Sequence, residues 1–124
     1  MLEPLKGCLV LIVEDEPLVA MDVADSFKTA GAEVVIAGTL VDALEKAELT
    51  GLTAAVIDHA LRDGLTSEVC AKLKARDIPF IVYSGYNKLE GACASGELVH
   101  KPASPQMLLT ALRGVLRREG RPLH

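Results

Sequence analysis

The chain has 124 residues, a length that fits one domain with a single core. Half of its residues are apolar, but it has no Trp, two Phe and two Tyr, so the core must be aliphatic. The net charge of -4 at pH 7 argues against a nucleic-acid binder, because such proteins meet phosphates with clustered Lys and Arg. No apolar run approaches the ~20 residues that span a bilayer, so we expect a cytoplasmic protein without membrane contact.

The three cysteines, Cys8, Cys70 and Cys93, are odd in number and scattered along the chain. Their spacing matches neither a zinc site nor a disulfide framework. We therefore expect reduced thiols, with Cys8 and Cys70 packed as small hydrophobic groups.

Short apolar runs alternate with longer segments of helical periodicity, a pattern typical of βαβ units and a mostly parallel sheet. After the first strand, 9–13, Pro17 marks the start of a helix that ends at Gly31. Its predicted inner face consists of Val19, Val23, Ala24, Phe27 and Ala30. A second strand at 32–37 follows, and then a helix that Thr39 caps at its N-terminus.

The third strand, 54–57, leads to Asp58, a short loop at 59–64 and a helix at about 66–76. The fourth strand, 80–83, leads to Ser84 and then to a segment, 85–96, that is rich in glycine and poor in large apolar residues. Any helix in that segment should be short and loosely packed. The fifth strand, 98–100, ends at Lys101, and Ser104 caps a final amphipathic helix.

Five strands and five helices with right-handed crossovers favour a single α/β domain over residues 1–124. The expected fold is flavodoxin-like, with a doubly wound, five-stranded parallel sheet in the order 2-1-3-4-5. In that order the ligand crevice lies between strands one and three, so Glu14, Asp15 and Asp58 should surround it.

Three converging carboxylates repel one another, and a divalent cation is the usual compensation. Oxygen ligands favour a hard ion, which predicts Mg²⁺ as the cofactor; without metal, the cluster would hold a proton at a raised pKa. The ammonium of Lys101 and the hydroxyl of Ser84 suit a phosphoryl group, as do backbone N–H groups after Asp58. Asp58 follows the central strand and is the predicted nucleophile.

These residues resemble a known family, the receiver domains of two-component response regulators. The resemblance covers essentially the whole chain and is carried by four segments in the family's order and spacing: Leu11-Ile12-Val13-Glu14-Asp15-Glu16-Pro17, Val56-Ile57-Asp58, Tyr83-Ser84-Gly85 and His100-Lys101-Pro102. It implies that Asp58 accepts a phosphoryl group from a phosphohistidine on a sensor histidine kinase or a histidine phosphotransfer protein.

The resemblance also assigns roles around Asp58. It implies that Glu14, Asp15 and Asp58 hold Mg²⁺ together with the backbone carbonyl of Ala60. It further implies that Ser84 is the switch hydroxyl and that Lys101, before a cis Lys-Pro bond, contacts the phosphoryl group.

The chain departs from the family's pattern at three positions. Arg62 stands where a proline is common, Leu98 replaces the strand-five switch aromatic, and Ala103 replaces the aromatic after Lys-Pro. Tyr86, two residues beyond Ser84, is the candidate substitute for the switch aromatic.

The resulting hypothesis is a signalling module without an output domain or independent substrate turnover. Phosphorylation of Asp58 would change the surface formed by the predicted fourth helix, fifth strand and fifth helix, where an unknown downstream protein would bind. One alternative is a Mg²⁺-dependent phosphatase or phosphotransferase with an aspartyl-phosphate intermediate. The other is a pseudo-receiver that binds partners without phosphorylation.

Overall fold

A five-stranded parallel sheet organises the chain in a computed structural model that describes residues 3–85, 89 and 91–120. Strands and helices alternate in the predicted manner. In chain order the elements are β1 (Leu9–Val13), α1 (Pro17–Thr29), β2 (Glu33–Ala37), α2 (Leu40–Lys46), β3 (Ala54–Asp58), β4 (Ala60–Leu61), β5 (Gly64–Leu65), α3 (Ser67–Ala75), β6 (Phe80–Ser84), a 3₁₀ helix (Gly91–Ser95), β7 (Glu97–His100) and α4 (Pro105–Arg118).

The strand order of the main sheet is β2-β1-β3-β6-β7, with every neighbouring pair parallel. This confirms the predicted doubly wound order, because β6 and β7 are the fourth and fifth strands of that sheet. The carboxyl ends of all five strands therefore meet at one edge, with β3 in the centre.

Two apolar layers cover the sheet. Successive residues of a strand face opposite sides, so Val10 and Ile12 pack with α1 and α4 while Leu11 and Val13 pack with α2 and α3. Both faces are buried, which explains why the central strands are continuous aliphatic runs rather than alternating ones.

Three helix starts lie where the sequence placed them. Pro17 occupies the first turn of α1, and the hydroxyls of Thr39 and Ser104 accept hydrogen bonds from backbone N–H groups of α2 and α4, each at 3.1 Å. The predicted inner face of α1 was wrong at Val19, which is 41% exposed. Ala20 begins the buried stripe instead, because Ala20, Val23, Ala24 and Phe27 share one helical face.

Two segments differ from the predicted elements. The expected loop at 59–64 contains a two-stranded antiparallel hairpin, in which Ala60 pairs with Leu65 and Leu61 with Gly64. The expected fourth of five helices is a 3₁₀ helix at Gly91–Ser95, so the described ranges contain four α-helices. Glycine loses the most conformational freedom on folding, which disfavours a longer α-helix there.

The prediction of three reduced thiols was wrong for two of them. Cys70 of α3 and Cys93 of the 3₁₀ helix form a disulfide, with their Cα atoms 5.1 Å apart. Cys8 is a buried thiol outside any disulfide, as expected. The packing of the 3₁₀ helix on α3 joins positions 23 residues apart, which sequence spacing does not reveal.

Within the described part of the chain, no helix has the length and apolar character needed to cross a membrane.

Candidate functional site

Asp58 lies at the centre of the carboxyl edge of the sheet, as the last residue of β3, with a side chain only 6% exposed. Its Oδ1 atom accepts a hydrogen bond from the backbone N–H of Ala60 at 3.2 Å. The ammonium of Lys101 donates to the same oxygen at 3.0 Å. Asp58 is thus a nearly buried carboxylate whose charge is compensated by one cation and one backbone dipole.

The structure brings Glu14 and Asp15 to this carboxylate. One oxygen from each of Glu14, Asp15 and Asp58 lies within 4.8 Å of the other two. Carboxylate oxygens are the donors that a hard divalent cation prefers, and Mg²⁺ binds through one or two carboxylates beside waters and phosphate oxygens. The donor chemistry of the cluster therefore fits Mg²⁺.

Glu14 is held at both of its carboxylate oxygens. Oε1 accepts a 2.6 Å hydrogen bond from the hydroxyl of Tyr83, and Oε2 accepts a 3.0 Å hydrogen bond from the backbone N–H of Glu16. Burial raises the pKa of Glu14 above its ordinary value, and Asp58 adds to the rise while the two hydrogen bonds oppose it. The orientation of this carboxylate is fixed, but its charge is unfavourable without a nearby cation.

Tyr83 remains a neutral hydrogen-bond donor in this site. Its side chain is buried, and this burial, followed by the neighbouring Glu14 carboxylate, raises the pKa of its phenol far above the ordinary value. The hydroxyl therefore keeps its proton and donates a hydrogen bond to Glu14.

Lys101 forms the opposite side of the site, directly after β7. Its backbone N–H donates to the carbonyl of Ser84 at 2.8 Å, which joins the ends of β6 and β7. Its ammonium lies 3.0 Å from Asp58 and 5.3 Å from the centroid of the Tyr83 ring. The Lys101-Pro102 peptide bond is cis, as the resemblance implied.

Ser84 and Ala60 occupy the remaining predicted positions. Ser84 ends β6 and is buried, one residue beyond the Tyr83 that pairs with Asp58. Ala60 is exposed, two residues after Asp58, and contacts the site through its backbone N–H. The switch role of Ser84 and the metal-ligand role of the Ala60 carbonyl stay predictions.

Arg62 joins the site through a contact that the sequence did not indicate. Its backbone N–H donates to Oδ2 of Asp15 at 2.6 Å, and its guanidinium donates to Oε1 of Glu16 at 2.8 Å. The Glu16 and Asp15 carboxylates raise the pKa of Arg62. The hairpin of β4 and β5 therefore lies over the acidic cluster with a cation at its tip.

Thr66 fixes the start of this hairpin segment. We expected the helix to begin near it, and α3 does begin at Ser67, but the Thr66 hydroxyl donates to the carbonyls of Asp58 and His59 at 2.9 Å instead of capping the helix. These bonds hold the backbone on which the Asp58 side chain stands.

Sequence reasoning missed Tyr83 as a member of the site, although one signal was available. A tyrosine in a buried strand needs a partner for its hydroxyl, and the acids of the predicted crevice were Glu14, Asp15 and Asp58. Arg62 had no such signal, because its bond to Asp15 is made by a backbone N–H, a group that every non-proline residue carries. The proposed switch aromatic, Tyr86, lies outside the described residues.

Comparison with models of known protein families finds no match. Among curated proteins, the chain is 33% identical over 115 residues to the sensory transduction protein RegX3 of Mycolicibacterium smegmatis. That alignment covers 88% of this chain and 50% of RegX3, so the chain spans about half the length of this relative.

Two solved structures match this chain over nearly their whole length. A CheY-like response regulator receiver domain protein from Methanospirillum hungatei JF-1 superposes with a TM-score of 0.78 at 28% identity, over 91% of this chain and 96% of that one. SdrG from Sphingomonas melonis Fr1 is 33% identical, with a TM-score of 0.73 over 88% of this chain and 96% of its own. By fold, site geometry and sequence similarity, the chain belongs to the response-regulator receiver domains of two-component signal transduction.

Proposed function

We propose that this receiver domain accepts a phosphoryl group on Asp58 from a phosphohistidine of a sensor histidine kinase or a histidine phosphotransfer protein. One observation carries the proposal. The Asp58 carboxylate lies between the Lys101 ammonium, which is 3.0 Å away, and the carboxylates of Glu14 and Asp15, each of which has an oxygen within 4.8 Å of an Asp58 oxygen. A nucleophile flanked by a cation and by metal-binding oxygens is the arrangement that phosphoryl transfer requires.

In the proposed reaction, a carboxylate oxygen of Asp58 attacks the phosphorus atom of the phosphohistidine. The new P–O bond forms as the P–N bond breaks, and the departing imidazole takes up a proton. Lys101 neutralises part of the charge on the phosphoryl oxygens, and the hydroxyl of Ser84 can donate a hydrogen bond to one of them. The backbone N–H of Ala60 is a further donor beside the acceptor oxygen.

The proposed cofactor is Mg²⁺, held by Glu14, Asp15 and Asp58 with the Ala60 carbonyl as a further ligand. When bound, it would neutralise negative charge shared between the carboxylates and the phosphoryl group. The donor set supports this choice, since the three carboxylates offer oxygen atoms alone.

Loss of the ion pair between Lys101 and Asp58 is the proposed link to signalling. Phosphorylation converts the Asp58 carboxylate into an acyl phosphate, so Lys101 exchanges its carboxylate partner for phosphoryl oxygens and Ser84 gains an acceptor. Ser84 ends β6 and Lys101 follows β7 directly, so this exchange would reposition the surface of the 3₁₀ helix, β7 and α4. An unknown downstream protein would read that surface.

We also propose that the domain turns over no small-molecule substrate. A phosphatase of this type needs an acid to protonate the leaving group, and the residue two positions beyond Asp58 is Ala60. One phosphoryl group per chain is therefore the expected product, whereas sustained hydrolysis of a phosphomonoester would favour an enzyme.

Intact mass after incubation with acetyl phosphate and Mg²⁺ tests the acceptor role. We expect one added phosphoryl group on the wild type and on the control variant Asp25→Asn, which changes an exposed acid of α1. We expect none on Asp58→Asn. Equal labelling of the wild type and Asp58→Asn would overturn the assignment, and no labelling of a wild type that binds a partner would favour the pseudo-receiver.

A further inference from the structure

Tyr83 contacts both a metal-binding acid and the lysine of this site. Its hydroxyl donates to Glu14 at 2.6 Å, and the Lys101 ammonium lies 5.3 Å from its ring centroid, within the range of a cation–π contact. The family resemblance assigned roles to Ser84 and Lys101 and left Tyr83 without one.

The position of Tyr83 in the sheet makes this double contact possible. Tyr83 belongs to β6 and Glu14 follows β1, and these two strands lie on either side of β3. Tyr83 pairs with Asp58 in the register of β3 and β6, so the phenol reaches across the end of the central strand to Glu14. Its bond spans 69 residues of sequence and is buried from water.

The bond determines which way the Glu14 carboxylate faces. With Oε1 bound by Tyr83 and Oε2 bound by the Glu16 N–H, rotation of the carboxylate would break one hydrogen bond or both. Each carboxylate oxygen has a second acceptor direction, so both bonds can persist while an oxygen also binds a cation. Groups that hold a metal ligand in this way contribute to metal affinity without touching the metal.

We propose that Tyr83 is a positioning residue whose hydroxyl orients Glu14 for a divalent cation. This inference rests on the proposed function for the identity of the metal site. In this role Tyr83 sets the Mg²⁺ concentration that half-saturates the site. It is distinct from the groups that contact the phosphoryl group.

The test variant is Tyr83→Phe, which removes the hydroxyl and keeps the ring under Lys101. Mg²⁺ binding is followed by amide chemical shifts, without any phosphodonor. We expect the half-saturating Mg²⁺ concentration to rise about tenfold. In acetyl phosphate labelling, we expect the same rise in the half-saturating Mg²⁺ concentration. The labelling rate at saturating Mg²⁺ should stay within about twofold of the wild type.

Two controls separate positioning from a loss of stability. Phe27→Leu weakens the same apolar cluster far from the acids and should lower the melting temperature without changing the half-saturating Mg²⁺. In the Glu14→Gln background, Tyr83→Phe should have little further effect on Mg²⁺ binding, because the hydroxyl acts through Glu14.

The inference is overturned if Tyr83→Phe binds Mg²⁺ as tightly as the wild type, if its effect is undiminished in the Glu14→Gln background, or if the wild type shows no Mg²⁺ response. Failure of the proposed function has a different signature. In that case the wild type binds Mg²⁺ and Tyr83→Phe weakens the binding, yet acetyl phosphate adds no phosphoryl group to Asp58.

Discussion

The backbone N–H of Arg62 donates a 2.6 Å hydrogen bond to Oδ2 of Asp15 and so ties the hairpin of β4 and β5 to the acidic cluster. The guanidinium of the same residue pairs with Glu16 at 2.8 Å and lies 3.9 Å from Asp15. A cation from the protein therefore lies beside the carboxylates that are proposed to bind Mg²⁺.

Replacing Arg62 by Ala should strengthen Mg²⁺ binding. The change removes the guanidinium but keeps the backbone bond to Asp15, so the cluster retains its geometry and loses a competing positive charge. Arg62 is mostly exposed, so screening limits the gain to about fivefold or less, and the gain should shrink at high salt. A Mg²⁺ titration followed by amide shifts measures it.

Lys72→Ala is the matched control for Arg62→Ala. Lys72 is also an exposed cation in an ion pair, with Glu48 at 3.0 Å, and lies on α3 rather than over the acids. Equal effects of the two variants would show that only net charge matters and would contradict a local role for Arg62.

The raised pKa of Glu14 predicts that its contribution to stability depends on pH. The native state holds the Glu14 proton more tightly than the unfolded chain, in which the pKa of this carboxyl is 4.5. This contribution is therefore fully present below the unfolded pKa and is lost as the pH rises through the native pKa. Without metal, the wild type should lose stability relative to Glu14→Gln as the pH rises above 4.5.

Melting temperatures of the wild type and Glu14→Gln across that pH range measure the loss. The difference between the two proteins is informative because titrating groups distant from Glu14 contribute equally to both. A difference that stays constant with pH would contradict the assignment. Millimolar Mg²⁺ should offset the loss in the wild type more than in the variant, because a ligand bound only by the native state stabilises it.

Substitution of Gly96 by Ala should destabilise the fold. A Cβ atom at this position would lie 2.5 Å from a ring carbon of Phe80 and 3.0 Å from its carbonyl oxygen, so a buried strand would have to move. We expect a loss of about 1–3 kcal/mol in the free energy of unfolding, as for other overpacked sites. Chemical denaturation gives this quantity.

Gly114→Ala is the opposite case in the same chain. Gly114 lies inside α4, and the nearest atom to an added Cβ is the end of the Arg118 side chain at 3.5 Å. Alanine there should stabilise the protein by about 0.4–1 kcal/mol, because it reduces the freedom of the unfolded chain. Similar effects of the two substitutions would refute the packing argument at Gly96.

The disulfide between Cys70 and Cys93 predicts the thiol count of the protein purified without reductant. Under denaturing conditions without reductant, iodoacetamide should add one carbamidomethyl group, at Cys8. After reduction it should add three. Reduction should lower the free energy of unfolding by about 2–4 kcal/mol, because the unfolded chain regains the entropy of the closed loop. Three labels without reductant would show that the pair is not bonded.

The Cys8→Ser variant checks that Cys8 is the thiol labelled before reduction. It should take up no label before reduction and two after it. A label that persists before reduction would place the labelled thiol at Cys70 or Cys93.

Much of the fold and of the candidate site follows from local patterns in the sequence. Aliphatic runs between helical segments specify a parallel sheet, and Pro17, Thr39 and Ser104 mark helix starts by their own chemistry. Parallel strands place their carboxyl ends at one edge, so Glu14, Asp15, Asp58 and Lys101 could be assigned to one crevice before any coordinates.

Tertiary structure alone decided the contacts that modify this site. The bond from Tyr83 to Glu14, the bond from Arg62 to Asp15 and the pairing of Cys70 with Cys93 join residues 69, 47 and 23 positions apart. Periodicity and capping are properties of neighbouring residues and report the element in which a residue lies. Which side chains meet between elements depends on register, packing and loop path, and these exist only in the folded chain.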